Sequence, residues 1–287
     1  MTWRTVIVRE RAKLDYSLNF MTVRKEAEMR KISLSEIYMV IVESTAVSLT
    51  AVLLNELVKN KIKVVFCDEK RTPSSELLPY YGSHDTSLKY KYQLDWTEEC
   101  KQRVWTRIVY EKIFNQMLLL KKLNKDEYKL LEQYLNEIEW NDNSNREGHA
   151  AKVYFNALFG LDFSRNKECF VNAALDYGYS IILSAFNREI ISCGYFTQLG
   201  LCHKNPFNKF NLASDFMEPF RILVDEEVYN LEQSEFSKEH KNILINILNK
   251  TVTIDDKQQT VANAIKIYCR SLFTGLKEED LEYIKMY

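Results

Sequence analysis

Glycine and proline are scarce in this chain, 7 and 4 in 287 residues, and no glycine occurs before Gly82. That scarcity excludes a glycine-rich phosphate loop of the Walker or dinucleotide type, so neither ATP nor NAD is expected. It also forces the turns of the first 80 residues onto Asn, Asp, Lys and Glu. The six cysteines, at 67, 100, 169, 193, 202 and 269, form no C-x-x-C pair. Thiolate-held zinc is therefore not expected, and the cysteines read as reduced core residues. No apolar run approaches the ~20 residues of a membrane span. With Arg4, Arg9, Glu10 and Arg11 in the first strand, the chain is expected in the cytoplasm, with no membrane partner. An excess of one charge is missing too, since 39 Lys and Arg face 40 Asp and Glu for a net charge of -1. A nucleic-acid enzyme of this composition must gather its cations on one face or share its grip with a partner.

What is present is enough apolar material for two cores, 46% of 287 residues. Residues 5–8 and 14–20 alternate with the period of a half-buried strand, 37–42 and 63–66 read as strands, and 46–58 as an amphipathic helix. The stretch 71–86, with Pro73, Pro79 and Gly82, has the composition of a linker. Beyond it the period becomes helical, over 97–122, 125–139, 144–158, 168–193, 212–231, 239–248 and 258–273, with 251–254 extended. The expected class is α+β: a small β-rich domain (1–80), a linker (81–96) and a larger all-α catalytic domain (97–287). Gly178, inside a helical segment, predicts a close approach of another backbone. Tyr177 and Tyr179 beside it read as core packing.

The chemistry-bearing residues lie in this second part. Asp215 and Glu218, at i and i+3, would project from one helix face, with His203 in the preceding loop. Glu147, heading a helix whose apolar positions are 150, 151, 154 and 155, supplies a further acid. Glu147, His203 and Glu218 are the expected metal ligands, and one imidazole with carboxylate oxygens suits Mg²⁺ or Mn²⁺, although zinc would tolerate the same donors. Each has a plainer reading. Ser144-x-x-Glu147 is a capping-box pattern, a lone loop histidine commonly bonds a backbone carbonyl, and acids in a first turn complement the helix dipole. Pro219 predicts a kink that could aim Glu218. His84 and His240 read as exposed, and Lys121, Lys122, Lys125 and Lys129 as either a solvated face or phosphate contacts.

Four motifs in order resemble the CRISPR-associated integrase family, most closely members from type II systems, which use a single large effector nuclease. They are E-G-x-A-A-x-x-Y-F (Glu147 to Phe155), the aromatic-glycine segment ending Tyr177-Gly178-Tyr179, the His203 loop, and Asp215-x-x-Glu218 followed by Pro219-Phe220-Arg221. The Val64-Val65-Phe66-Cys67-Asp68 strand fits as well. The resemblance implies a metal-dependent endonuclease that inserts protospacer DNA into a repeat array, a DNA 3′-hydroxyl attacking a repeat-border phosphodiester. It implies Asp215 in support of His203, phosphate contacts from Lys204, Lys209 and Arg221, and support or DNA contact from His149. Many relatives carry an arginine after the histidine, where this chain has Lys204, Asn208 and Lys209; a lysine does not grip bidentately. The alternative partner of Arg221 is Asp225, four residues on. The implied partners are double-stranded protospacer and repeat DNA, a second copy through the β-rich domain, a small ferredoxin-fold adaptation protein, the large effector nuclease and a ring-forming accessory protein. Two other functions fit the residues: a catalytically silent DNA-binding scaffold, and a free-standing metal nuclease on branched or single-stranded DNA.

Overall fold

The computed structural model describes residues 4–26, 28–80, 82–232 and 235–287. They fall into two compact units, Met1–His84 and Asp85–Tyr287. The first contains β1 (Arg4–Val8), β2 (Ala12–Ser17), β3 (Phe20–Arg24), β4 (Met29–Ser33), β5 (Ile37–Val42), β6 (Val47–Leu49), α1 (Ala51–Lys59), β7 (Lys63–Cys67) and β8 (Pro73–Leu77). They form two four-stranded sheets, ordered β1-β5-β7-β8 and β4-β3-β2-β6. Every residue of β5 is buried, because parallel β1 and β7 flank it on both edges. Leu14, Met21, Leu34, Ile37, Val40, Leu53, Leu57 and Val64 share one core.

Three expectations in this unit are corrected. The alternating stretch 14–20 is not one strand; Leu18 and Asn19 take φ of 48° and 66° and close a two-residue hairpin between β2 and β3. Asn19 and Lys61 are left-handed turn residues of the expected types, but Leu18 and Arg71 are not. The helix read over 46–58 starts only at Ala51, N-capped by Thr50, because residues 47–49 pair in parallel with β2. The stretch of linker composition contains β8, antiparallel to β7, and residues 86–95 are helical.

The second unit contains α2 (Thr86–Asp95), α3 (Glu98–Lys122), α4 (Tyr128–Asn136), α5 (Arg146–Phe159), α6 (Phe170–Ser192), α7 (Asn211–Phe216), α8 (Arg221–Asn230), α9 (Lys238–Asn246), β9 (Thr251–Ile254), β10 (Lys257–Thr260) and α10 (Val261–Glu278). The chain is thus β-rich first and helical after, as expected; the extended stretch 251–254 is β9, which forms a hairpin with β10 through Asp255 and Asp256, both left-handed, so the helix read from 258 starts only at Val261. The helix read over 212–231 is three pieces, α7, a 3-10 turn over Glu218–Phe220, and α8. Pro219 sits where its missing N–H breaks the ladder, and its carbonyl accepts from Asn115 Nδ2 at 3.3 Å. Phe220 enters a fully buried aromatic cluster with Phe186 (5.2 Å) and Tyr268 (5.3 Å).

Tyr177 and Tyr179 are buried core residues, as expected. The neighbour that Gly178 admits is a side chain rather than backbone: a Cβ there would lie 2.4 Å from Val224 Cγ1 of α8. Cys67, Cys100 and Cys269 are buried, but Cys193 is half-buried and Cys169 and Cys202 are exposed, against the reading of all six as core. His84 is exposed, whereas His240 is half-buried, completing a capping box with Ser237 and stacking on Phe236.

Candidate metal centre

The start of α5 decides what Glu147 can do. Asp142 caps the helix with both oxygens, Oδ1 accepting from the Arg146 amide (2.8 Å) and Oδ2 from the Glu147 amide (3.0 Å). The Ser144 hydroxyl donates away from the helix, to the Glu137 carbonyl. The capping box therefore does not form, and the Glu147 carboxylate is left to meet Lys112, whose Nζ lies 2.6 Å from its Oε1. The same ammonium is 2.5 Å from Glu218 Oε2, and Arg221 Nε donates to Glu218 Oε1 at 2.9 Å. The guanidinium of Arg221 also stacks over Tyr179, 4.6 Å from the ring centroid. Burial works against a charge on Glu218, but Arg221 and Lys112 outweigh it and hold the carboxyl well below its ordinary range. Lys112 is buried too; the two carboxylates overcome that burial and raise its pKa.

Asp215 and Glu218 do not share a helix face; the break at Met217 sends them apart. Asp215 is fully buried and turns into the histidine loop. Its Oδ2 accepts from the amides of Leu201 (2.6 Å) and Cys202 (3.1 Å), and its Oδ1 from the amide of His203 (3.2 Å). Oδ1 also pairs with His203 Nδ1. Gly200 makes room for this wrap, since a Cβ there would lie 2.4 Å from the His203 carbonyl and 2.7 Å from Asp215 Oδ2. His203 thus bonds a carboxylate rather than a backbone carbonyl. An N–H at Nδ1, fixed by that carboxylate, leaves Nε2 as the free donor. The hydrogen bond that His203 donates to Asp215 raises the His203 pKa against burial, and the charges of Asp215, Glu218 and Glu147 add to the rise. Trp105 packs edge-on against the imidazole at 5.9 Å.

The other candidates are placed as follows. Lys204 and Lys209 are exposed beside a cavity of about 510 Å³ that His203 also lines; Lys204 lies 3.6 Å from Glu98. Arg221 turns inward to Glu218, not to Asp225. Asp225 instead accepts from Tyr154 Oη (2.9 Å) and from Tyr179 Oη. His149 is exposed, its Nδ1 3.4 Å from Arg146. Each of the four clustered lysines has a local partner: Lys121 and Lys125 over tyrosine rings, Lys122 on Glu226, Lys129 on Asp126.

Sequence reasoning missed Lys112 and Asp142. For Lys112 there was a signal: with Trp105, Ile108, Val109, Ile113 and Gln116 it continues the buried stripe of α3. No group of three or more His, Cys, Asp or Glu side chains is drawn together as a ligand cluster among the described residues. Two carboxylates nonetheless converge within 2.6 Å of one cationic point, and Glu218 Oε2 there is buried with the Lys112 ammonium as its partner. That donor set, with an oriented imidazole alongside, fits a hard divalent cation.

The fold is shared with solved structures of low sequence identity. A chain described as "Casposase bound to integration product" superposes with a TM-score of 0.77 at 19% identity, covering 98% of this chain and 92% of that one. A chain of a "Cas6-RT-Cas1--Cas2 complex" superposes with a TM-score of 0.76 at 18% identity; it covers 99% of this chain, which spans only 36% of that longer one. The family model for CRISPR associated protein Cas1 matches residues 5–251. A "CRISPR-associated endonuclease Cas1" of Neisseria meningitidis serogroup C (strain 8013) is 32% identical over 292 aligned residues, covering 100% of this chain and 96% of its own. The chain belongs to the Cas1 family, as its motifs implied.

Proposed function

We propose that this protein is a metal-dependent DNA endonuclease and integrase that joins the 3′-hydroxyl of a protospacer end to a phosphodiester at the border of a CRISPR repeat. One observation carries the reading: Glu147 and Glu218 converge on a single cationic point beside His203, whose Nδ1 is engaged by Asp215. Glu147, Glu218 and His203 Nε2 would hold Mg²⁺ or Mn²⁺. When bound, such an ion supplies Lewis acidity toward phosphate oxygens. Asp215 keeps the imidazole in its tautomer and orientation, and Arg221 keeps Glu218 ionised and aimed. Lys204 and Lys209, exposed next to the cavity at His203, would meet DNA phosphates, and His149, exposed on the first turns of α5, would make a further contact. No protein side chain is needed as nucleophile, because the DNA end brings its own.

Two ends joined at two repeat borders require two active sites. The proposed assembly is therefore a homodimer through residues 1–80, with 81–96 leading into the catalytic part, paired with a small ferredoxin-fold adaptation protein. The large effector nuclease and a ring-forming accessory protein are further partners. Its place of action is the cytoplasm; no helix of the described residues is long and apolar enough to cross a membrane. One feature favours a second reading, a silent DNA-binding scaffold: Lys112 and Arg221 between them already balance the charge of the two acids. Incorporation of a labelled duplex with free 3′-hydroxyl ends into a repeat-bearing plasmid decides between them. With the small partner and Mn²⁺ or Mg²⁺, joining by wild type and its loss in Glu147→Ala and His203→Ala is expected. DNA binding with no joining in any cation would favour the scaffold, and joining that survives both substitutions would refute this site.

A further inference from the structure

Lys112 lies on the buried face of α3, with its ammonium 2.6 Å from Glu147 and 2.5 Å from Glu218. These are short charge-assisted contacts, and the ammonium occupies the point on which the two carboxylates converge, where a hard cation would find its oxygen ligands. An ammonium and a divalent ion drawn to the same two carboxylates carry charge of one sign and would repel, so they would compete for the place. We propose that Lys112 is the centre's resident counter-cation: it holds Glu147 and Glu218 in ligand position before loading, and a divalent metal must displace it. This positioning role rests on the reading of Glu147, His203 and Glu218 as the metal ligands.

The packing supports displacement rather than permanent closure. Arg221 holds only Oε1 of Glu218, and the Glu147 amide is capped separately by Asp142, so neither acid needs Lys112 to keep its backbone in place. Lysine joins the pair as a point charge on a flexible stem, whereas an arginine would form a planar two-pronged clamp. The order of metal affinity on changing residue 112 is therefore fixed by the geometry: an uncharged side chain of the same length binds metal most tightly, lysine next, arginine least.

The test uses the full chain without DNA. Mn²⁺ binding is followed by electron paramagnetic resonance of the free ion, and melting is recorded with and without Mn²⁺. Lys112→Met is expected to bind Mn²⁺ at least about tenfold more tightly than wild type. Its melting temperature should be lower without metal and recover on loading. Lys112→Arg is expected to bind more weakly than wild type while melting no lower, and it serves if the Met variant fails to fold. Equal affinities in wild type and in whichever variants fold would overturn the proposal. So would tighter binding by the arginine variant. Glu147→Gln separates this outcome from failure of the metal centre itself: if it abolishes binding while residue 112 has no influence, only the role of Lys112 falls. If no variant and no wild type binds Mn²⁺, both fall together.

Discussion

Asp215 holds His203 twice with one oxygen: Oδ1 accepts the His203 amide and also pairs with the imidazole Nδ1, while Oδ2 takes the two preceding amides. Ring orientation and loop path therefore depend on a single buried carboxylate. Asp215→Asn replaces an acceptor oxygen by an NH₂ facing N–H groups. Metal affinity and strand joining are expected to fall about 10–100-fold, with a loss of about 1–3 kcal/mol in urea unfolding. Unchanged joining would show that His203 needs no such support.

Gly200→Ala should injure the same loop from the other side. The added methyl would sit 2.4 Å from the His203 carbonyl oxygen, so the wrap around Asp215 must open. Denaturant unfolding is expected to report about 1–3 kcal/mol of destabilisation, and the joining assay a reduced rate; a neutral substitution would mean that the loop has slack.

Lys112 shows most plainly what the sequence could and could not reveal. Glu147, His203, Asp215 and Glu218 stand in short local patterns, and the order of those patterns was enough to expect both the family and a β-rich part followed by a helical part. Lys112 stands in no motif. It is one lysine among many, and only its register with the apolar stripe of α3 marks it as buried, a position where lysine requires partners. The shared helix face of Asp215 and Glu218 was misread because spacing assumes an unbroken helix, and Pro219 breaks it. The hairpin at Leu18-Asn19 was invisible because leucine is poorly suited to a left-handed turn.

Asp225 predicts an unusual pH dependence. Burial raises its pKa to about 6 from 3.8, against the opposing hydrogen bonds from Tyr179 and Tyr154. The native state therefore favours the protonated acid. This contribution is full below the unfolded value and is lost as pH rises through about 6. Glu218, held low, acts in the opposite sense, its contribution being lost as pH falls below the ordinary carboxylate range. Between pH 5 and 7 the Asp225 contribution should decline by about 1–2 kcal/mol. Urea unfolding at the two pH values should show a larger decline in wild type than in Asp225→Asn, whose remaining decline comes from His203, its pKa also raised on folding; equal slopes would place the proton elsewhere.

Gly178 and Val224 should prove energetically coupled. Gly178→Ala alone drives a methyl against Val224 and is expected to cost about 1–3 kcal/mol. Adding Val224→Ala removes the clash, so the double variant should be more stable than the sum of the two single effects, by about 0.5–3 kcal/mol in a double-mutant cycle. Strict additivity would mean that α6 and α8 shift apart freely.

The hydrogen bond between Tyr154 and Asp225 lies about two turns along α5 from Glu147, yet it bears on the spacing of the two acids. Tyr154 follows Glu147 by seven residues along α5, and Asp225 follows Glu218 by the same seven. The first interval is about two turns of α5, and the second runs through the 3-10 turn over Glu218–Phe220 into α8. The two segments are thus pinned at one end by Tyr154 on Asp225 and at the other by Lys112 between the acids, like the uprights of a ladder held by two rungs. If metal takes the place of the ammonium as proposed, the lower rung would stay, and the span between the two carboxylates would be kept while its occupant changes.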